Sequence, residues 1–498
     1  MRVNPDNIEI LVVTCLGIAL RGITSLGSYS GASTPPMFGD YEAQRHWQEI
    51  TLNLPAKEWY TNTSDNDLLY WGLDYPPLTA YHSLILGKVA SKYLNSSYVE
   101  LYKSRGYESE GHKTFMRHTV LWADIFLYIP ACIILVKAMD TFLANKKQRL
   151  CLLAVLISYP GLILIDNGHF QYNNISLGLM LVAIAAVLQD AYVWAAFFFS
   201  LALNYKQMEL YHALPFFVML LRVSLNGNTF AHKMVTLFKI ATMTLATFAM
   251  LWLPWLKSKD LVMTVIHRLF PFNRGVFEDK VANIWCSLNV VYKFKENVTN
   301  PEMALICLTT TLLAILPLNA HVFYKGQKNT FVFSLFNTAI GFFLFSFQVH
   351  EKSILLAALP AICLLPHMPF CAVSFLKISV LSMLPLFIKD KLCVAYFAMI
   401  IGFTVGLRNL LKIDYSKNVK IQKILDVLMV VLDIFIIIIS LTAIFVPSPA
   451  SLPHIWPLFI SVLCCGGFLL LLLVSVIYQF GYEKSLYKIF YKIIPNIS

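Results

Sequence analysis

The chain has 498 residues, of which 58% are hydrophobic and 13% charged, and its formal net charge is +11. Soluble domains carry about 25% charged residues, so this composition predicts a polytopic membrane protein. The basic residues lie beside apolar segments rather than in one stripe, which argues against a nucleic-acid partner.

Long apolar segments follow one another along most of the chain. A helix needs about 20 apolar residues to cross a bilayer, and about fourteen segments approach that length. The sequence therefore predicts an all-α protein in which residues 1–498 form one membrane domain. The first segment lacks a small-residue cleavage site and is predicted to be a retained signal anchor. The predicted spans are 8–26, 117–137, 150–166, 174–189, 191–204, 210–222, 234–256, 302–323, 331–348, 353–367, 369–388, 392–408, 425–446 and 455–478.

The distribution of basic residues predicts an orientation. With both termini in the cytosol, the even-numbered connections between spans are cytosolic, and the basic residues that they contain form a pattern consistent with the positive-inside rule. The odd-numbered connections then face the lumen. Two of them are long, at 27–116 and 257–301, and the first is rich in Trp and Tyr, which predicts helices lying in the membrane interface. The cytosolic basic residues include Lys137, Lys146, Lys147, Arg149, Arg222, Lys233, Lys325, Lys328, Arg408, Lys412, Lys417, Lys420 and Lys423, with Lys484, Lys488 and Lys492 near the C-terminus.

The first luminal connection contains two candidate catalytic carboxylates. Asp40 follows Gly39 at the start of a helix-like stretch. Considered alone, it is more simply interpreted as a helix cap that accepts the amide of Ala43. The alternative is a general base held beside the membrane, with Glu42 as the next candidate and Arg45 one turn further on.

A second carboxylate lies in an aromatic turn. Asp74 sits between Trp71 and the proline pair Pro76-Pro77. Aromatic rings around an acidic residue are common in sugar-binding sites, and a turn cap with interfacial aromatic residues is an equal alternative.

The D-x-D sequence at 65–67 is interpreted as a polar turn, because no segment has the pattern of a soluble nucleotide-binding domain. The cysteines show no metal-ligand spacing, so no metal site is predicted.

Charged residues also interrupt the apolar pattern at span ends. His169 ends the third span, Lys206 ends the fifth, and His350, Glu351 and Lys352 interrupt the stretch from 331 to 365. A charge near the bilayer centre costs roughly 2.5–3.5 kcal/mol on insertion scales, so such a run needs a partner or a function. An interfacial ion pair is one interpretation, and a clamp for a lipid phosphate is favoured.

The second long connection carries Arg268 and Arg274 among phenylalanines, a pattern that suits a gate over a lipid-phosphate site. A solvated loop with interfacial anchors is the alternative. Neither interpretation depends on a metal ion.

Taken as a set, these motifs resemble one family, the endoplasmic reticulum (ER) polyprenol-phosphate-dependent α-glucosyltransferases of the GT-C type, glycosyltransferase family 57. The resemblance covers about residues 10 to 390, in the order of the family's motifs. The motifs are Gly27-Ser28-Tyr29-Ser30-Gly31, the stretch 39–47, Trp71-Gly72-Leu73-Asp74-Tyr75-Pro76-Pro77, Gly168-His169-Phe170-Gln171-Tyr172-Asn173, Asn204-Tyr205-Lys206-Gln207-Met208, the stretch 277–285 and His350-Glu351-Lys352-Ser353.

The resemblance implies a substrate pair and a location. Within the family the chain is most similar to members that move glucose from dolichyl-phosphate glucose onto lipid-linked Man9GlcNAc2, as the first glucose and through an α-1,3 bond. The sibling reaction, addition of the second glucose, remains an alternative, and a transporter of lipid-linked sugar is another. The ER membrane, a luminal site and membrane lipids as surroundings follow from the resemblance, while no obligate protein partner is indicated.

The resemblance also implies roles for the candidate residues. A β-linked donor and an α-linked product require one inversion, with Asp40 as the base that deprotonates the acceptor. The leaving phosphate needs charge stabilisation rather than an acid or a metal. His350 and Lys352 are the first candidates for this, followed by Arg274 and Lys206. Supporting roles in binding sugar or orienting other groups are expected for Glu351, Asp74, Trp71, Glu42 and His169.

Overall fold

The computed structural model describes residues 5–270 and 280–482, and the regular structure within these ranges is helical without β-strands. The all-α fold class predicted from the sequence is confirmed. The helices are α1 Pro5–Ser25, α2 Asp40–Asn53, α3 Pro77–Val89, α4 Glu110–Ala123, α5 Ile129–Ala138, α6 Lys146–Ser158, α7 Pro160–Ile163, α8 Asn173–Leu188, α9 Tyr192–Tyr205, α10 Leu210–Ser224, α11 Phe230–Trp252, α12 Lys259–Leu269, α13 Ile284–Leu288, α14 Phe294–Asn297, α15 Asn300–Lys325, α16 Lys328–Phe345, α17 Ile354–Cys363, α18 Pro369–Ser382, α19 Leu384–Lys389, α20 Cys393–Val405, α21 Val419–Phe445 and α22 Ile455–Gln479.

Short π-helical segments extend several of these helices. One at Asp124–Tyr128 joins α4 to α5, and one at Leu164–Phe170 continues α6 and α7. Such segments, with wider turns than an α-helix, are frequent at functional sites because they redirect the side chains that follow. The segment at Leu164–Phe170 carries His169 of the sequence-predicted site.

Eight helical segments in the described ranges are long and apolar enough to cross a membrane. The other predicted spans coincide with helices that are shorter or less apolar, such as α8, α9 and α18. These findings confirm a polytopic membrane protein, while the count of about fourteen spans stays a prediction.

The spans differ in how far the protein covers them. In the span Lys146–Phe170, 78% of the apolar window is buried, against 17% in Phe230–Trp252. The span Lys146–Phe170 therefore lies in the interior of the bundle. Helix α11 lies at the periphery with its apolar side chains outward, as expected for a helix that faces lipid. The central span delivers its C-terminal end to the site described below.

Connections that the sequence assigns to the cytosolic side contact one another. Nζ of Lys147 donates to the carbonyl of Lys412 at 2.9 Å, which joins the second and twelfth connections. Lys328, in the eighth connection, pairs with Asp190 in the fourth at 2.7 Å. This sorting agrees with the alternation of sides that fourteen crossings would produce.

The first predicted luminal loop, 27–116, contributes the helices α2 and α3. Eleven of the fourteen residues of α2 are buried. This helix therefore belongs to the protein interior over most of its surface, rather than resting on the membrane interface with one face uncovered.

Candidate active site

A cavity of about 580 Å³ lies where the predicted luminal connections meet. Seven residues singled out from the sequence line it: Asp40, Trp71, Asp74, Lys206, Arg268, His350 and Lys352. They come from four connections that are far apart in the chain, so the fold gathers them into one place.

Asp40 occupies the wall of this cavity. Helix α2 begins at Asp40, but Gly39 caps it, since the amide of Ala43 donates to the Gly39 carbonyl at 3.0 Å. The interpretation of Asp40 as a side-chain helix cap is therefore wrong. Its Oδ2 atom instead accepts from Nε2 of His169 at 2.9 Å and from the Lys352 ammonium group and the Gln171 amide.

The electrostatics keep Asp40 ionised. Burial would raise the pKa of Asp40, but the positive charges of Lys352 and His169 prevail and hold it well below its ordinary value. Burial likewise opposes the charge on Lys352, yet Asp40 raises the pKa of Lys352 above its ordinary value. Among the residues described, we find no hydrogen-bond partner for Oδ1 of Asp40, so this oxygen is the one available to a ligand.

The loop before α2 fixes the position of Asp40. The Asp40 amide donates to Oγ of Ser30 at 3.2 Å, and the Ser30 amide donates to the His169 carbonyl at 2.9 Å. A Cβ atom on Gly39 would lie 2.7 Å from the carbonyl carbon, the carbonyl oxygen and Oγ of Ser30. Only glycine permits this approach, which explains why a glycine precedes the carboxylate. Ser30 thus joins the first and third connections, both of which are predicted to be luminal.

His169 lies behind Asp40 and does not line the cavity. Its Nδ1 atom bonds to Oδ2 of Asp390, and both side chains are only 2% exposed, against 21% for Asp40. Arg117 supports this arrangement from α4 by donating to the carbonyl of Gly168 at 2.8 Å. The predicted contact of His169 with sugar remains untested, but its position favours a supporting role.

Sequence reasoning missed Asp390. It lies in the three-residue connection between the predicted spans 369–388 and 392–408, which has the same parity as the other site connections. The presence of an acidic residue in such a short connection on the predicted luminal side is the feature from which it could have been found.

Lys206 forms the second cationic group of the cavity. Its Nζ donates to Oδ1 of Asn173 at 2.5 Å and lies 5.0 Å from the ring centroid of Tyr75, a cation–π contact. The side chain is nearly covered. Burial, together with the charge of Lys352, lowers the pKa of Lys206 to about 8.

The aromatic turn that carries Asp74 is held at its backbone. Arg268 donates to the carbonyls of Leu73 and Gly72 at 3.1 and 2.6 Å, and Nε2 of Gln207 donates to the Asp74 carbonyl at 2.9 Å. The side chains of Asp74 and Trp71 thereby project from a fixed turn into the cavity. Arg268 secures this turn, which is a different task from the phosphate gate considered from the sequence.

Three residues in or next to the motifs of the site have unusual backbone conformations. Trp71, Phe170 and Gln348 adopt φ angles of 48°, 92° and 57°, in the left-handed region that is uncommon for residues other than glycine. Such conformations persist where the surroundings enforce them, typically at functional sites. Each of the three lies in or next to a sequence-predicted motif.

The remaining candidates lie elsewhere. Glu42 faces away from the cavity and is buried in an ion pair with Arg45 at 2.7 Å, with the Tyr70 hydroxyl donating to it at 2.9 Å. Glu351 begins a short 3₁₀ turn beside the cavity without lining it. Arg274 lies outside the described residues, as does the start of the motif at 277–285. The predicted sugar- or phosphate-binding roles of these residues stay predictions.

The D-x-D segment forms a turn. The side-chain amide of Asn66 is buried and donates to the carbonyls of Glu58 and Thr61, while Asp67 accepts the Leu69 amide at 2.9 Å. In the described ranges no group of three or more His, Cys, Asp or Glu residues could hold a metal ion. Asp67 therefore serves the local backbone, while Asp65 accepts from the hydroxyl groups of Ser64 and Tyr102.

Comparison with known proteins identifies the family. The model of the ALG6, ALG8 glycosyltransferase family matches residues 11–475. The chain belongs to this family. The family match covers every residue that lines the cavity, so the cavity is part of a glycosyltransferase.

Relatives of the chain carry closely related names. A Drosophila melanogaster protein named probable dolichyl pyrophosphate Man9GlcNAc2 alpha-1,3-glucosyltransferase is 50% identical over 96% of this chain and 99% of its own. A Mus musculus protein with that name without the qualifier is 43% identical over 93% and 94% of the two chains. A Dictyostelium discoideum protein, also named as probable, is 46% identical over 80% and 77%. The sequence-based assignment to this glycosyltransferase family is confirmed.

Proposed function

We propose that this protein transfers glucose from dolichyl-phosphate glucose to the terminal mannose of lipid-linked Man9GlcNAc2, forming an α-1,3 bond. The observation that carries this proposal is the 50% identity over nearly the full length of both chains with a relative named for that acceptor and linkage. The cavity supplies chemistry that suits it, with one ionised carboxylate and two lysines facing the same space.

Asp40 acts as the general base. The acceptor hydroxyl oxygen attacks the anomeric carbon of glucose, the bond from that carbon to the phosphate oxygen breaks, and its electron pair leaves with dolichyl phosphate. The hydroxyl proton passes to Oδ1 of Asp40, the oxygen left open to the cavity. Positioned general bases contribute typically about 10²–10⁴-fold to a rate.

The lysines stabilise the leaving phosphate. Lys352 has three N–H donors. The Asp40 contact uses one of them, and Nε2 of His169 lies 3.2 Å from Nζ. A remaining donor can reach a phosphate oxygen, and Lys206 offers a second cation in the same cavity. Charge stabilisation by these side chains and by His350 supports a reaction that proceeds without a divalent metal.

We place the protein in the ER membrane with its cavity on the luminal side and both termini in the cytosol. Contacts between connections of equal parity support this orientation, because the basic connections meet each other and the site connections meet at the cavity. The positive-inside rule then assigns the basic end to the cytosol.

The first test is glucose transfer by the purified full chain in liposomes. The donor is dolichyl-phosphate glucose, and the acceptors, assayed in parallel, are lipid-linked Man9GlcNAc2 and its monoglucosylated form, each with and without EDTA. We expect transfer to the unglucosylated acceptor, unaffected by EDTA. Transfer to the monoglucosylated acceptor alone would assign the second glucosylation step, and loss with EDTA would refute metal independence.

The same assay tests the base. Asp40→Asn removes the proton acceptor while keeping the side-chain shape, so we expect a fall in kcat of at least about 100-fold. Asp414→Asn is the matched control, because Asp414 is 80% exposed at the opposite end of the bundle and pairs only loosely with Lys147. Full activity of Asp40→Asn would exclude Asp40 as the base and leave Asp74 as the next carboxylate in the cavity.

A further inference from the structure

We propose that Asp390 is a positioning residue for the reaction, acting through His169 to hold the catalytic carboxylate of Asp40 with one oxygen fixed and the other presented to substrate. This inference rests on the function proposed above. It adds a residue that touches neither substrate and that lies 350 positions from Asp40 in the chain.

The contacts form a continuous chain from the interior to the cavity. Oδ2 of Asp390 bonds to Nδ1 of His169, and Nε2 of His169 lies 2.9 Å from Oδ2 of Asp40. A carboxylate therefore faces each ring nitrogen, and both contacts are satisfied when both nitrogens carry a proton and donate. The Lys352 ammonium group, 3.2 Å from Nε2, opposes the imidazolium charge, and the two carboxylates that face the ring nitrogens compensate for it.

Asp390, His169 and Asp40 differ in how far they are exposed to the cavity. Asp390 and His169 are each 2% exposed, so neither can reach a ligand in the cavity. Asp40, at 21%, is the member that can. A buried carboxylate is costly unless it is paired, and the carboxylate of Asp390 forms its ion pair with His169. The Asp390 carboxylate is thus committed to orienting the imidazole.

The two carboxylate oxygens of Asp40 have different surroundings. Lys352, Gln171 and His169 all converge on Oδ2. Three donors on one oxygen prevent rotation of the carboxylate, so Oδ1 keeps its direction toward the acceptor hydroxyl. When Asp40 takes up the hydroxyl proton on Oδ1, His169 keeps both of its own protons and no further transfer is required.

The backbone on both sides of His169 is also fixed. Its carbonyl accepts the Ser30 amide at 2.9 Å, and the neighbouring carbonyl of Gly168 accepts from Arg117 at 2.8 Å. With the backbone anchored in this way, the remaining freedom is rotation of the imidazole ring, and Asp390 removes it. The expected consequence is a loss in the chemical step rather than in substrate binding.

The test is steady-state kinetics of full-length Asp390→Asn with both substrates varied. We expect kcat to fall about 10- to 100-fold, by analogy with the loss of a partner that orients a metal-binding histidine. KM for donor and acceptor should stay within about threefold, since no binding contact is removed. Asp390→Glu, which keeps the charge, should retain more of kcat than Asp390→Asn.

A control and a double variant separate positioning from general stability. Asp433→Asn breaks another covered ion pair, with Lys377 at 2.5 Å, and should lower the melting temperature without lowering kcat per folded molecule. The variant His169→Asn/Asp390→Asn should be no slower than His169→Asn alone, because Asp390 acts only through the imidazole.

Three results would overturn the inference: unchanged kcat in Asp390→Asn, a rise in KM alone, or multiplicative losses in the double variant. Absence of transfer by the wild-type protein would instead refute the proposed function, so the two failures are distinguishable.

Discussion

The lowered pKa of Lys206 predicts an alkaline limit for donor use. A lysine is cationic below its pKa and loses its charge as the pH rises through it. With a pKa of about 8 instead of its ordinary value of 10.5, Lys206 loses its charge within the range in which the enzyme can be assayed. The cause is visible in the structure, since the ammonium group is nearly covered and its closest polar contact is the neutral amide of Asn173.

The magnitude follows from simple titration. If only the cationic form binds the donor phosphate productively, kcat/KM for dolichyl-phosphate glucose should fall about tenfold between pH 7 and pH 9, where roughly one Lys206 in ten stays protonated. This quantity reports the free enzyme. Lys352 cannot produce the fall, because its pKa is raised. Asp40, with its lowered pKa, should stay ionised down to about pH 5.

The assay measures kcat/KM for the donor from about pH 5 to pH 10 in wild type, Lys206→Arg and Lys206→Met. The arginine variant stays charged throughout, so its profile should lack the alkaline fall even if its plateau is lower. The methionine variant should be low and flat. An alkaline fall at the same pH in both variants would assign it to another group and refute this role of Lys206.

Two further predictions concern the approach to the site and its orientation. Gly39→Ala places a Cβ 2.7 Å from Ser30, so it should displace the start of α2 and lower kcat. The far-ultraviolet circular dichroism spectrum should remain that of a helical protein. A kcat equal to that of the wild type would show that the close approach is not needed. Exposed Asn62, in a sequon of the first luminal loop, should carry a glycan that Asn62→Gln removes, seen as the loss of an endoglycosidase-sensitive gel shift. A glycosylation tag inserted at Asp414 should remain unmodified. If the tag is glycosylated and Asn62 is not, the true orientation is the reverse of the one proposed.

Hydropathy and charge predicted most of the architecture. Each predicted span coincides with a helix or a pair of helices, because apolar length is a local property that the bilayer makes decisive. The side of the membrane on which each connection lies also follows from the sequence, because successive connections alternate between the two sides. These two signals were sufficient to predict which loops would meet.

Pairings within the site could not be predicted in the same way. His169 and Asp390 are 221 residues apart, and nothing in the local pattern of either names the other. Glu42 illustrates the opposite case. Its sequence neighbourhood was as favourable as that of Asp40, but Arg45 lies one turn along the same helix and pairs with it instead. Two positions along α2 separate a carboxylate in the cavity from one in the interior.

The asymmetry of Asp40 also resolves an apparent conflict in its proposed role. A carboxylate with a strongly lowered pKa is a weak base, yet it must remain ionised beside an anionic phosphate, which would otherwise raise its pKa. Lys352 and His169 secure that ionisation through Oδ2. The acceptor hydroxyl becomes acidic only as its oxygen bonds to the anomeric carbon, so proton transfer to Oδ1 is favourable late in the reaction, when it is needed. A stronger base would gain proton affinity but would be protonated, and inactive, whenever the donor was bound.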